Sequence, residues 1–191
     1  MFIYREVIYM PAKKQITKDM ILDAAFKLMK EQGYEAVNIK RLAEKLGCST
    51  QPVYLSFSGM DELRSELVPL AVAEFERQVK SRDDSIARLY GIEYVYFAEN
   101  EPHLFRFLFM RANAFSEIRR ALMPIIGESV RELSEIYHIS RDEADALHDQ
   151  LWMHAHGIAA MIATEFCDWD MDKVSAMLSE CKYNFTKKYE A

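Results

Sequence analysis

The twenty residues from Asn38 to Phe57 constrain this chain more than any other stretch. Ile39, Leu42, Ala43 and Leu46 recur at spacings of three and four, so they form one face of a short helix. Asn38 stands where its side chain can cap that helix, and Gly47 stands where the helix must stop, offering positive φ without strain. A second apolar set, Val53, Tyr54 and Phe57, follows Cys48-Ser49. Pro52 fits a helix only in its first turn, which puts the second helix start at Ser49 or Thr50, with Ser49 as candidate cap. Two short helices joined this tightly form a helix-turn-helix, with Ala43 small at the crossing and Val53 plugging the pair.

The flanking pattern is helical as well. Thr17 is the candidate N-cap of a first helix, with Asp19 in its first turn and a stripe of Met20, Ile21, Ala24, Ala25, Leu28 and Met29. Lys30 lies in its last turn and Gly33 ends it. After the Ser58-Gly59 turn a long helix is expected from Met60 to Lys80. Further helices are expected at 83–99, 102–112, 116–137, 141–166 and 170–188, with Pro124 starting or kinking one of them. No strand pattern stands out, and only six glycines and five prolines punctuate the chain. The expected fold is all-α with about nine helices: an N-terminal three-helix helix-turn-helix domain over 12–60 and a helical domain over 61–191.

The net charge is −6, unevenly spread. Residues 1–64 hold ten Lys and Arg against eight Asp and Glu, whereas 65–191 hold fourteen against twenty-two. A local positive surface is compatible with an acidic whole. The three cysteines form no CxxC pair, which points away from zinc or a disulfide framework and toward reduced thiols in a cytoplasm. The apolar start MFIYREVIYM is too short for a membrane span and lacks a signal-peptide cleavage site. It reads as an extension, and Met10 is an alternative start. No phosphate loop, dinucleotide fingerprint or nucleophile motif occurs, so catalysis, a cofactor and a metal are not expected. Asp145, His148 and Asp149 share a helix face at metal-compatible spacing, but a solvated face is the simpler reading.

From Thr17 to Leu63 the chain resembles the DNA-binding domain of the tetracycline-repressor (TetR) family. The matches are Ile21-Leu22-Asp23-Ala24-Ala25, Leu28, Gly33-Tyr34, Leu42-Ala43, Gly47-Cys48-Ser49, Tyr54-x-x-Phe57 and Glu62-Leu63, in the family's spacing without a gap. The resemblance implies a dimeric bacterial transcription regulator whose second short helix enters the major groove of double-stranded operator DNA. It assigns DNA contacts to Asn38, Lys40, Ser49, Thr50, Gln51, Pro52 and Tyr54. Gln51 would pair with adenine N6 and N7, and the Tyr54 hydroxyl would reach a phosphate. Asn38 would reach a phosphate or serve as a cap alone. Lys40 and Arg41 are backbone contacts or a solvated face, and Lys13, Lys14 and Lys18 are further phosphate candidates. The chain departs from the common pattern in having Gln51 and Pro52 where many members have Gly and Thr, and Met60 where many have Lys.

The remaining residues are rich in aromatics and Met. Family resemblance implies a pocket for an unidentified, partly apolar small molecule, and Tyr90, Tyr94, Phe97, Phe105, Phe109, Met110, Trp152 and His156 are the candidates. At helical spacing each reads equally as core. Trp152-x-x-x-His156-Gly157 resembles a Trp…His-Gly signature of one class of TetR-type C-terminal domains. Two apolar stripes, Ala155, Ile158, Ala159, Ile162 and Phe166, then Val174, Met177, Leu178, Cys181 and Phe185, are candidates for a homodimer interface, or for inward packing. The implied mechanism is repression relieved by a ligand that tilts the fourth helix. No membrane partner is expected. The alternative is a helical protein-interaction module without operator binding.

Overall fold

The computed structural model describes residues 15–80 and 91–189, and the regular structure among them is helical. The nine α-helices among the described residues are α1 (Lys18–Gln32), α2 (Ile39–Leu46), α3 (Gln51–Ser56), α4 (Met60–Lys80), α5 (Ile92–Asn100), α6 (Pro102–Phe109), α7 (Phe115–Tyr137), α8 (Arg141–Ala163) and α9 (Met171–Thr186). Single 3-10 turns follow α1 at Tyr34–Ala36 and α9 at Lys187–Tyr189.

Local chemistry sets most of the ends. The Thr17 hydroxyl accepts from the Met20 N–H, as its candidate cap role requires. Ser140 and Glu143 form a reciprocal capping box on α8, and Asp170 accepts from the Lys173 N–H at 2.7 Å to start α9. Several ends differ from the sequence expectation. The second helix of the helix-turn-helix starts at Gln51 after Thr50, and Ser49 does not cap it. Pro52 occupies the second helical position, where no N–H exists for a capping hydroxyl to accept from. The long α8 stops at Ala163, because Thr164 bonds back to the Ala160 carbonyl and Glu165 turns the chain at φ 56°. Pro124 sits inside α7 on an exposed face, where it removes one rung of the hydrogen-bond ladder without ending the helix. The helix expected at 83–99 is described from Ile92 onward with Gly91 before it, and residues 83–90 lie outside the described residues.

One continuous apolar core runs from Ile21 in α1 to Leu178 in α9. The central helix of the body is α8, which packs on α5, α7 and α9, while α4 packs on α1, α5, α6 and α7. The helix that leaves the head is therefore also a wall of the body. Phe75 on α4 is fully buried and meets the rings of Tyr94, Phe97 and Phe109 edge-on at 5.0–5.8 Å.

A charged cluster fastens the same joint. The Lys30 ammonium at the end of α1 lies 3.1 Å from Glu74 on α4 and 2.6 Å from Glu101 before α6. Gln78 donates to both carboxylates, and Arg77 donates twice to Glu74. These donors, Arg77 foremost, hold the Glu74 carboxyl down at about 2, against an ordinary 4.5. A carboxyl with a depressed folded-state pKa contributes stability above its unfolded value and loses it as pH falls through the folded one. The cluster's contribution is thus complete above about pH 4.5 and declines toward pH 2. In an acid titration followed by circular dichroism, wild type is expected to lose more stability across that window than Glu74→Gln. Parallel curves would show that the cluster carries no such linkage.

Candidate nucleic-acid interface and body cavity

The helix-turn-helix assembles as its residues require. Asn38 Oδ1 accepts the Arg41 N–H at 3.1 Å and caps α2. Gly47 takes the left-handed conformation, φ 65° and ψ 38°, and the Cys48 N–H returns to the Ala43 carbonyl at 3.0 Å. Val53 of α3 is buried, as are Leu42 and Ala43 of α2, and the two helices pack on each other. With Val53 inward, α3 turns Gln51, Tyr54 and Leu55 to solvent, with Ser49 and Thr50 exposed just before it and Pro52 half-buried. Tyr54 is 65% exposed and Leu55 79%. The sequence reading missed Leu55, although its signal was present: a helix that turns Val53 inward turns residue 55 outward.

Among the described residues, positive charge in the head is largely engaged. Lys18, a phosphate candidate, instead pairs with Glu66 and Glu62 on α4 and lies 4.9 Å over the Phe57 ring. Lys27 pairs with Asp23, Lys45 with Glu31, and Arg41 donates to Gln32 and the Ala36 carbonyl. Lys40 has the loosest partner, Glu44 at 3.9 Å, and its side chain is 84% exposed, which leaves it the cation most easily turned to a phosphate. Lys13 and Lys14 lie outside the described residues. Met60 is half-buried against the core, and its carbonyl accepts the Tyr34 hydroxyl at 3.3 Å. Glu62 takes the Ser58 N–H and hydroxyl at 2.7 Å each, so the fourth helix begins on an anionic cap.

In the body, a cavity of about 110 Å³ lies between α4, α5, α6, α7 and α8. Of the expected pocket residues, Tyr94, Phe109 and Trp152 line it. Phe97 and Phe105 are buried in the surrounding core, and Met110 is 43% exposed at a separate hollow beside Gly33 and His103. Tyr90 lies outside the described residues. Sequence reasoning missed Phe75, Ile118, Leu122 and His148, which complete the wall with Arg111 and Arg119 at its polar side. His148 is buried, and Asp149, though exposed, also lines the cavity, so the solvated-face reading holds in full only for Asp145. Burial lowers the His148 pKa and keeps its ring neutral.

His156 stands behind the cavity. Its Nδ1 lies 3.0 Å from the Tyr94 hydroxyl, and its ring stacks on Trp152 and on Phe105 with centroids 5.0 and 5.6 Å apart. The Trp152 side chain also reaches the Tyr94 hydroxyl. Burial pushes the Tyr94 hydroxyl up and the His156 ring down, so both stay neutral. The spacing Trp152-x-x-x-His156 thus places two α8 side chains, one helical turn apart, on one tyrosine of α5.

A three-helix head with a glycine-turned helix pair, an outward-facing short helix and an all-helical body defines a helix-turn-helix regulator of DNA. Residues 21–67 match the family model of bacterial regulatory proteins, tetR family. A curated relative, an uncharacterized HTH-type transcriptional regulator of Haemophilus influenzae, is 26% identical over 160 residues, 80% of this chain and 77% of the relative. A transcriptional regulator from Rhodococcus sp. Rha1 superposes with a TM-score of 0.65 at 18% identity, covering 91% of this chain and 97% of that one. The regulator FadR from Bacillus subtilis, solved with stearoyl-CoA, superposes at 0.62 with 14% identity, covering 86% and 97%. Residues 21–67 therefore carry a DNA-binding segment of the tetR type, and the family match, the regulator relative and the shared fold support a DNA-binding transcriptional regulator.

Proposed function

We propose that the protein is a homodimeric repressor, with a head at 12–60 and a body at 61–191, released from its operator by a small molecule bound in the α4–α8 cavity. One observation carries this reading: Phe75 lines the cavity and belongs to α4, the helix on which the head is mounted. A molecule that displaces Phe75 displaces the base of the head. Drug-sized ligands occupy about 300–1,000 Å³, so the cavity at about 110 Å³ must widen to admit one. That widening is where differential affinity for two states of the body arises. The stearoyl-CoA complex of the Bacillus subtilis neighbour supports a body of this fold holding an organic ligand.

The dimer surface lies on the far side of the expected stripes. Ala155, Ile158, Ala159, Val174 and Leu178 are buried within one protomer, taken up by the core beneath α8 and α9. Ile162, Met177 and Cys181 are half-buried, and Phe166 is 78% exposed. The outer faces carry Met153, Gly157 and Met161 on α8, with Ala176 and Tyr183 on α9. Gly157 is half-exposed, and a Cβ there would meet nothing within 4 Å, so the protomer itself makes no use of the missing side chain. A second copy packed closely on α8 does. Gly157→Arg is expected to keep its helical circular dichroism but sediment as a monomer. A dimer of undiminished stability would move the interface elsewhere.

The reading is tested by fluorescence anisotropy with DNA flanking the protein's own gene, at two salt concentrations. Selective binding by a dimer, weakened by salt and reversed by a cavity ligand, is expected. Equal affinity for unrelated DNA would instead favour an interaction module.

A further inference from the structure

The outward face of α3 carries a second reading element besides its amide. Gln51 and Leu55 are four residues apart, so they lie one above the other on the face opposite buried Val53. At 79% exposure, Leu55 is the most exposed of the large hydrophobic side chains among the described residues. A single exposed leucine elsewhere on a surface carries no message. This one sits on the helix that enters the groove, next to half-buried Pro52, in a segment from Ser49 to Met60 that contains no Lys, Arg, Asp or Glu. The face therefore offers a groove floor one bidentate amide and an apolar surface.

Only one natural base edge is apolar in the major groove of unmodified DNA: the C5-methyl of thymine. We propose that Leu55 is a specificity-determining residue that packs on a thymine methyl, one or two base pairs from an adenine held by Gln51. The spacing follows from the geometry. One helical turn rises about 5.4 Å, and successive base pairs rise about 3.4 Å. The operator half-site under α3 is then built of A·T pairs, and methyl contacts supply part of its discrimination. This rests on the DNA-binding role of the head.

The test begins with full-length wild-type protein and a randomised duplex, from which the bound sequence is selected. Each thymine of the selected half-site is then replaced by uracil, which removes the methyl and keeps every hydrogen-bonding group. At one thymine the wild type is expected to weaken about fourfold, the worth of one buried methyl group. Leu55→Ala should bind the thymine and uracil duplexes equally, with the same helical circular dichroism as wild type. Gln51→Ala should keep the thymine preference while losing discrimination at the neighbouring adenine. Indifference of the wild type to uracil at every position overturns the proposal, as does a thymine preference that survives in Leu55→Ala. A selection that yields no preferred sequence overturns the proposal together with the base-reading role of the head.

Discussion

Phe75→Ala is expected to lower stability by about 3–5 kcal/mol, the range for a fully buried phenylalanine cut to alanine. For a chain of this size that corresponds to a melting temperature lower by roughly 2–4 °C for each kcal/mol. The ring is completely buried and touches three other rings, so its loss removes edge-to-face contacts from Tyr94, Phe97 and Phe109 together. The void would merge with the existing cavity, which Phe75 already lines. An apolar cavity of roughly 150 Å³ holds a benzene-sized molecule, so toluene is expected to restore part of the lost stability. Thermal denaturation of wild type and variant, with and without toluene, checks both points. A loss below about 1.5 kcal/mol, well under the usual range, would mean that the walls around Phe75 collapse inward readily.

Gly33→Ala is the second large effect, and it arises from backbone geometry. Gly33 closes α1 at φ 85° and ψ 162°, a conformation in essence reserved to glycine. An added Cβ would also lie 3.0 Å from Glu35 Oε2 and 3.2 Å from His103 Nδ1. Holding a residue in such a conformation costs about 1–3 kcal/mol. His103 belongs to α6, so the strain falls on the joint between head and body, and operator affinity is expected to fall along with the urea midpoint. Gly47→Asn provides the contrast. Gly47 is left-handed at φ 65° and ψ 38°, a region asparagine tolerates, and nothing lies within 4 Å of its Cβ position. Its loss should be less than half that of Gly33→Ala. Equal losses would show that the joint relaxes around position 33.

Both glycines were visible in the sequence as helix stops, but only Gly47 as the turn of a motif. The difference between a left-handed and a glycine-only conformation depends on the direction the chain takes next, which no local pattern encodes. The helices themselves were legible because caps and spacing act within one turn: Thr17, Asn38 and the bounds of α4 appear where the pattern put them. The DNA-facing helix was legible to within a residue or two, and Pro52 is the reason for the difference.

The body was legible as helices but not as a site. Ile118, Leu122 and His148 meet Phe75 only because α7 and α8 pack against α4, and periodicity assigns all of them equally to a core. The same ambiguity governs α8. Periodicity does not say which apolar positions of that helix its own core takes up: Ala155 is buried within the protomer, whereas Gly157 is half-exposed.

The pairing of cations within the head bears on how fast the protein finds its site. Regulators reach their operators by sliding and hopping on random DNA, held there by released counterions. Among the described residues the head offers few unengaged cations, and a head of that kind leaves random sequence sooner, so each molecule samples more DNA by three-dimensional excursions and fewer base pairs per visit. Fewer copies are then sequestered by the rest of the chromosome, and, with fewer counterions released on binding, operator occupancy depends less steeply on salt.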